Sequence, residues 1–236
     1  MKSNLGLKRA AMRLAVLATG GKDSTLALYQ VLKEGYEVKC LVGMVPKRED
    51  SWMFHYPNMH LIDLFAEAVG IPLVKAETSG IKESELEDLK RLLEKLDIEG
   101  VVSGAIASNY QKTKIENICN QLGLNCITPL WQRDQLQILK EILDLKFEVL
   151  ITGVYAYGFS REWLGRRLDG ATVEDLLRLN RQYGVSLAGE GGEYETLVVD
   201  APFFKKRIRI VEAEKFWKDS SGYFLVRKAK LENKRS

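Results

Sequence analysis

Short apolar runs alternate with helical patterns over the first 122 residues, and that order admits few folds. A strand-like run over 13–18 leads to a helical pattern over 24–34 closed by Gly35. Glu37–Val45 reads as a second strand ended by Pro46, and 59–69 as a helix with Leu61, Leu64, Phe65 and Ala68 on one side. Pro72–Ala76 is a third strand. Ser84-Glu85-Leu86-Glu87 has the form of a capping box, ahead of an apolar stripe at Leu86, Leu89, Leu92, Leu93 and Leu96. Gly100–Ser103 is a fourth strand, before a helix over 111–122. Strands and helices in this alternation build a parallel sheet with helices on both faces. Such sheets bind ligands at the carboxyl ends of their strands, where Thr19-Gly20-Gly21 and Ser103-Gly104-Ala105 both fall.

The pattern changes near residue 130. A helix over 134–145, an apolar strand over 147–154 and a helix over 173–183 follow. Arg207–Val211 alternates polar and apolar residues, Asp219-Ser220-Ser221-Gly222 is turn-forming, and Tyr223–Val226 is strand-like, so the C-terminus reads as an antiparallel hairpin. The expected division is residues 1–130 as one domain and 131–236 as a smaller α+β domain, with a fraying charged tail from Lys228 to Ser236. No internal repeat or low-complexity linker is present.

Composition narrows the function classes. With 35 basic and 32 acidic residues the 236-residue chain carries a net charge of only +3, which argues against a general nucleic-acid binder. Hydrophobic content of 46% beside 28% charged residues is that of a globular protein, and the Lys, Glu and Arg content would suit a heat-adapted organism. No apolar run is long enough to span a membrane, and Met1-Lys2-Ser3-Asn4 lacks a secretory core, so a cytoplasmic location is expected. Cys40, Cys119 and Cys126 form no C-x-x-C pair and the chain has two histidines, so no metal site is expected. Cys40 and Cys119 read as small core residues of a reduced protein.

Chemistry concentrates in a few segments. Ala18-Thr19-Gly20-Gly21-Lys22-Asp23-Ser24 joins a strand to a helix start. Its glycines let the backbone approach a phosphate, helix N–H groups and the dipole face it, and Lys22 and Ser24 add a charge and a hydroxyl. The spacing fits neither G-x-x-x-x-G-K-[ST] nor G-x-G-x-x-G. It resembles the S-G-G-x-D-S loop of the ATP pyrophosphatases, with Thr19 in place of the first serine. An ordinary helix cap would use the same residue types. Gly104-Ala105-Ile106-Ala107-Ser108-Asn109-Tyr110-Gln111 is small enough to admit a nucleotide beside the backbone, and equally reads as a strand-to-helix connection capped by Ser108 or Asn109. His55 and His60, five apart and separated by Pro57, do not suit a metal pair; His55 could reach a phosphate or substrate, or simply pack. Gly189-Glu190-Gly191-Gly192-Glu193-Tyr194-Glu195-Thr196 places three glycines and three carboxylates in eight residues. Such a loop is entropically costly to order. Its carboxylates suit Mg²⁺, ammonium or general-base work, and a solvated acidic turn remains the plain alternative.

Together these segments, with Pro129-Leu130-Trp131 and Leu164-Gly165-Arg166, resemble the diphthine–ammonia ligase (diphthamide synthase) family over residues 13 to 212. These are ATP-dependent amidases that complete diphthamide on translation elongation factor 2. The E-G-G-E-[FY]-E-T run is the most specific part of the resemblance. The resemblance implies an α/β fold with a parallel-sheet adenine-nucleotide-binding domain of the HUP type, plus a family-specific C-terminal substrate domain. The chain lacks the additional C-terminal domains of some eukaryotic members and so looks like the short archaeal form. Implied chemistry is adenylation of a carboxylate by ATP, with Mg²⁺, then displacement of AMP by ammonium. By resemblance Thr19, Gly20, Gly21, Asp23 and Ser24 hold phosphates with Lys22 as an electrostatic clamp, and Asp23 either orients the loop or holds Mg²⁺ through water. Met44 offers backbone to adenine, and Gly104, Ala105, Ile106, Tyr110 and Gln111 line the other side. Glu190, Glu193 and Glu195 are candidates for ammonium or substrate handling. A tRNA-thiolating or lysidine-forming enzyme shares the phosphate loop, but the unpaired cysteines and near-neutral charge speak against tRNA. A non-catalytic ATP-binding module is the other alternative. Oligomeric state is left open, a homo-oligomer included.

Overall fold

A five-stranded parallel sheet organises the first half of the chain. The computed structural model describes residues 12–46, 58–78 and 82–234. The strands are β1 (Arg13–Leu17), β2 (Glu37–Pro46), β3 (Leu73–Thr78), β4 (Gly100–Val102) and β5 (Asn125–Ile127), in the order β3-β2-β1-β4-β5. Every pairing is parallel. The interleaved helices are α1 (Lys22–Lys33), α2 (Ile62–Val69), α3 (Lys82–Leu93) and α4 (Asn109–Leu122). Strand order reverses around β1, so the loop that follows it lies at the topological switch point where such sheets take ligands.

Burial explains why the strands read as apolar runs. Ala15, Cys40, Val42 and Val101 pack with Leu89 and Leu93 of α3 and with Ile118 and Cys119 of α4. The alternate residues Leu14, Val16, Leu41 and Val102 are buried as well. A sheet covered on both faces leaves no room for polar alternation. Cys40, Cys119 and Cys126 are free thiols, the first two buried as expected.

Two local expectations are corrected: residues 228–233, expected to fray, complete the paired strand Ser221–Asn233, and the capping box does not cap its helix. α3 begins at Lys82, so Ser84-Glu85-Leu86-Glu87 lies inside the helix and does not cap its start. Lys82 and Glu83 are good helix formers and extend the helix past the apparent box. The leucine stripe holds: Leu89 and Leu93 are buried, and Leu86, Leu92 and Leu96 pack against the same cluster.

The remaining elements are α5 (Gln135–Asp144), β6 (Glu148–Val154), α6 (Gly170–Tyr183), β7 (Tyr194–Asp200), β8 (Lys206–Lys218) and β9 (Ser221–Asn233). β6 to β9 form a four-stranded antiparallel sheet in the order β7-β6-β9-β8. The expected C-terminal hairpin is the pair β8–β9, closed by Asp219-Ser220, with Asp219 at φ 55°. By their contacts the residues form two compact units. The first comprises the segments 12–19, 23–46, 71–78 and 82–131; the second comprises Gly20–Lys22, 58–70 and 132–234. Within the second unit Asn58 joins the α2 segment to β9, accepting from the Val226 N–H (2.9 Å) and donating to the Phe224 carbonyl (3.0 Å). The His60 ring donates to the Val226 carbonyl (2.8 Å), which gives this histidine a structural partner. Phe65 meets Phe204 edge-to-face at 5.4 Å. Among the described residues no helix is long and apolar enough to cross a membrane.

Candidate active site

β1 runs out at Leu17, and Ala18 donates its N–H to the Val42 carbonyl (2.9 Å) before the chain turns. Gly20 makes the turn at φ 76°, a conformation that costs most side chains strain. α1 starts at Lys22, two residues earlier than expected, which puts Lys22 and Asp23 in its first turn. The dipole and backbone N–H groups of a helix's first turn favour an anion there. The Ser24 hydroxyl accepts from the Thr19 N–H (3.3 Å) and shares a hydrogen bond with the Thr19 hydroxyl (3.1 Å), so the loop closes on itself within the first unit.

Gly104, just past β4, lies against this turn. A Cβ built on it would come within 2.8 Å of the Asp23 carbonyl carbon and the Ser24 nitrogen. Only hydrogen fits. Both strand-end segments singled out in the sequence therefore meet, Gly104 on Asp23–Ser24. Ala105 and Ile106 are buried beside it, with the Ala105 N–H donating to the Ser103 hydroxyl (3.4 Å). Tyr110, in the first turn of α4, is 53% exposed, and the Lys114 ammonium one turn on lies 3.8 Å over its ring. Gln111 is the next residue of that helix. Met44 sits in β2 two residues before its end. Successive residues of a strand turn their backbone groups to alternate sides. Leu41 donates its N–H to Pro72 on the β3 side and Val42 accepts from Ala18 on the β1 side. The Met44 backbone therefore faces the β1 side as well, beyond the last β1–β2 pair at Leu17–Val42. His55 lies outside the described residues.

The second unit gives the loop's other contacts. Gly20 accepts from the Val198 N–H (2.8 Å), and the Lys22 N–H donates to the Thr196 hydroxyl (3.1 Å). The Lys22 side chain, only 2% exposed, donates to the Ala188 carbonyl (2.5 Å) and holds its ammonium 5.0 Å from the centre of the Tyr194 ring. A buried ammonium persists only where polar and ring-face contacts replace water, and these do so. Residues 20–22 thus lie along β7 and the acidic glycine run, although 166 or more positions separate Lys22 from them in sequence.

That run is a wound turn. Gly189, Gly191 and Gly192 all have φ between 74° and 78°, and Glu190–Gly192 forms one 3₁₀ turn ahead of β7. The Glu193 carboxylate accepts from the Ser186 N–H (2.5 Å), the Ser186 hydroxyl accepts from the Glu190 N–H (3.1 Å), and Tyr194 donates its hydroxyl to Leu187 (2.6 Å). Glu190, Glu193 and Glu195 are all half-buried. Tyr194 and Thr196 share the side of β7 that holds Lys22, and Glu195 points to the opposite face. Two partners escaped sequence reasoning. Gln135, at the start of α5, accepts from the Ser186 hydroxyl (3.0 Å) and the Ala188 N–H (3.1 Å), which fixes the carbonyl that Lys22 uses. In sequence it is only the residue after the Asp134 N-cap. Thr196 stands in the run, but nothing local marks it as an acceptor for the loop. Among the described residues no three His, Cys, Asp or Glu side chains gather as a metal cage.

With this geometry in hand, comparison with known proteins is direct. Residues 12–126 match the family model for the diphthamide synthase N-terminal domain, and residues 134–231 match that for the diphthamide synthase C-terminal domain. A diphthine–ammonia ligase of Rattus norvegicus is 38% identical over 226 residues, covering 86% of this chain and 84% of the relative. One from Schizosaccharomyces pombe is 37% identical over 86% of this chain, which spans 37% of that longer protein. Among solved structures, a predicted subunit of a tRNA methyltransferase from Methanocaldococcus jannaschii overlaps at TM-score 0.46 with 17% identity, over 81% of this chain and 98% of that one, a likeness too low to carry a functional argument.

Proposed function

The chain belongs to the diphthamide synthase family, and on that premise we propose that it amidates diphthine on translation elongation factor 2, using ATP and ammonium. A carboxylate does not condense with ammonia at neutral pH, because oxide is a poor leaving group. In the proposed reaction a carboxylate oxygen attacks the α-phosphorus of ATP and pyrophosphate leaves. Ammonia then attacks the acyl carbon, AMP leaves, and the nitrogen sheds its extra protons. The protein's part is to hold the leaving group, offset charge at the α-phosphate and exclude water from the mixed anhydride.

The observation that carries this reading is the meeting of the glycine turn with the acidic run: Lys22 on Ala188 and Tyr194, and Gly20 on Val198. Gly104 lets the backbone of Asp23 and Ser24 pack close against the end of β4, and the first turn of α1 that this holds in place suits a phosphate. We assign Thr19, Gly20, Gly21, Asp23 and Ser24 to the phosphates, and the Met44 backbone to the adenine edge. Gly104, Ala105, Ile106, Tyr110 and Gln111 are assigned to the nucleotide's other side. Lys22 acts on the phosphates from its place on Ala188, which couples the loop to the run. Mg²⁺ would enter with the nucleotide, held by phosphate oxygens and by Asp23 through water, since Mg²⁺ characteristically uses one or two carboxylates plus substrate phosphates. Glu193 shapes the turn through Ser186, and we assign Glu190 and Glu195 to ammonium and substrate. We place the reaction in the cytoplasm.

Incubation with ATP, ammonium and diphthine-bearing elongation factor 2 tests the reading. The factor should gain an amide by mass, with stoichiometric AMP and pyrophosphate. ADP with orthophosphate, or an unmodified factor, would overturn it.

A further inference from the structure

Across the antiparallel sheet, one residue from each strand lies in a single row on one face. Glu195 of β7 pairs with Gly153 of β6, Gly153 with Tyr223 of β9, and Tyr223 with Phe216 of β8. Directly paired residues share a face. The Phe216 and Tyr223 rings stack at 4.8 Å, 17° from parallel. The gap over Gly153 is filled by Tyr155, two residues on and just past the end of β6. A Cβ on Gly153 would come within 2.6 Å of the Tyr155 hydroxyl and 2.9 Å of its ring. The row therefore reads carboxylate, phenol, phenol, phenyl. It is open to solvent, with Tyr155 40% and Tyr223 37% exposed.

The row's electrostatics are those of a cation site. Ring faces carry negative quadrupole density, and a carboxylate at one end adds a full charge. Burial, followed by the charges of Glu195 and Tyr223, raises the Tyr155 phenol above its ordinary range, so the Tyr155 ring remains neutral beside the carboxylate. One cation already uses the far end: the Arg227 guanidinium lies 5.6 Å from the Phe216 ring centre while pairing with Glu214 at 3.1 Å. The near end adjoins the phosphate loop. Leu197 stands two residues from Glu195 on the same face, and its side chain lies 3.5 Å from the position a Cβ on Gly20 would occupy.

We propose that Glu195, Tyr155 and Tyr223 bind the quaternary ammonium of the amidated side chain, and so set which protein-borne carboxylate is accepted. The inference rests on the function proposed above, because diphthine carries a trimethylated ammonium beside its carboxylate. A quaternary ammonium suits ring faces better than free ammonium does, since it is weakly hydrated and has no N–H to satisfy. Glu195 thereby acquires a role distinct from that of Glu190.

Two measurements test this together. In steady-state amidation, Tyr155→Leu with Tyr223→Leu should raise KM for the elongation factor about tenfold, the scale of two lost ring-face contacts, with KM for ammonium unchanged. Tyr155→Phe, which keeps the ring, should restore most of the loss. Independently, tetramethylammonium chloride titrated against sodium chloride at matched ionic strength should shift the Tyr155 and Tyr223 ring resonances saturably in the wild type. The Phe216 ring, stacked on Tyr223, should shift with them; its shift should vanish in the leucine pair and persist in Tyr155→Phe. Saturable tetramethylammonium binding by a wild type that makes no amide would support the row while removing the proposed reaction. Normal amidation with unchanged KM in the leucine pair, or no saturable shift in the wild type, would overturn the row. A rise in KM for ammonium alone would also overturn it, by giving these rings to the other substrate.

Discussion

A methyl group added to Gly104 would strike backbone at 2.8 Å, whereas one added to Gly191 would find nothing within 4 Å. Both glycines stand in segments that the sequence marks as chemically loaded. The first unit uses glycine because another stretch of chain, Asp23–Ser24, occupies the space of a side chain. The acidic run uses Gly191 because its φ of 75° excludes other residues at low cost. Crowding ties one strand end to another, while a positive φ only bends one chain. Mutations at the two places should therefore fail in different ways, and the first should fail harder.

The largest effect is expected at Gly104. Valine there pushes Asp23 and Ser24 away from β4, at about 1–3 kcal/mol of overpacking strain. If that strain falls on the phosphate cradle, ATP affinity drops by about tenfold to a hundredfold. Calorimetric titration with ATP reads this, with circular dichroism confirming that the variant is folded. Unchanged affinity in a folded Gly104→Val protein would mean that the loop does not hold the nucleotide.

Lys22 probes the second unit's side of the comparison. Lys22→Met keeps the buried stem but strips Ala188 of its donor and the Tyr194 ring of its cation. An unsatisfied buried carbonyl costs about 1–3 kcal/mol. In a chain of this size each kcal/mol lowers Tm by about 2–4 °C. Amidation should fall further than stability, since the charge assigned to the phosphates is lost as well. A drop in Tm with full activity would reduce Lys22 to a structural tie between loop and run.

How much of this was legible in the sequence follows from the range of each interaction. The parallel sheet was, because strands buried on both faces leave apolar runs such as Leu14–Leu17, and glycine or proline punctuates them. The loop was, because glycines, hydroxyls and a lysine at a strand-to-helix junction are a local pattern. Gln135 was not: its bonds to Ser186 and Ala188 span more than 50 residues and leave no periodicity behind. Lys22 was read as a clamp from its loop alone, and its carbonyl and ring partners lie in a segment no spacing rule connects to it. Ser84 shows the converse error, where a local capping pattern lost to the helix propensity of the residues before it.

The smallest effect is expected at Gly191, and it sharpens the comparison most. Gly191→Ala has space for its methyl group but must hold a left-handed conformation, at about 1–2 kcal/mol. Asparagine tolerates that region better, so Gly191→Asn should recover most of the stability lost by alanine. If conformation is the whole reason for this glycine, both variants should amidate normally once folded, and thermal melts should rank them wild type, Asn, Ala. A different result would be more telling. Should Gly191→Asn melt near the wild type yet fail to form amide, the open space beside Gly191 is occupied during the reaction. Gly191 would then resemble Gly104 after all, crowded by a substrate where Gly104 is crowded by the chain.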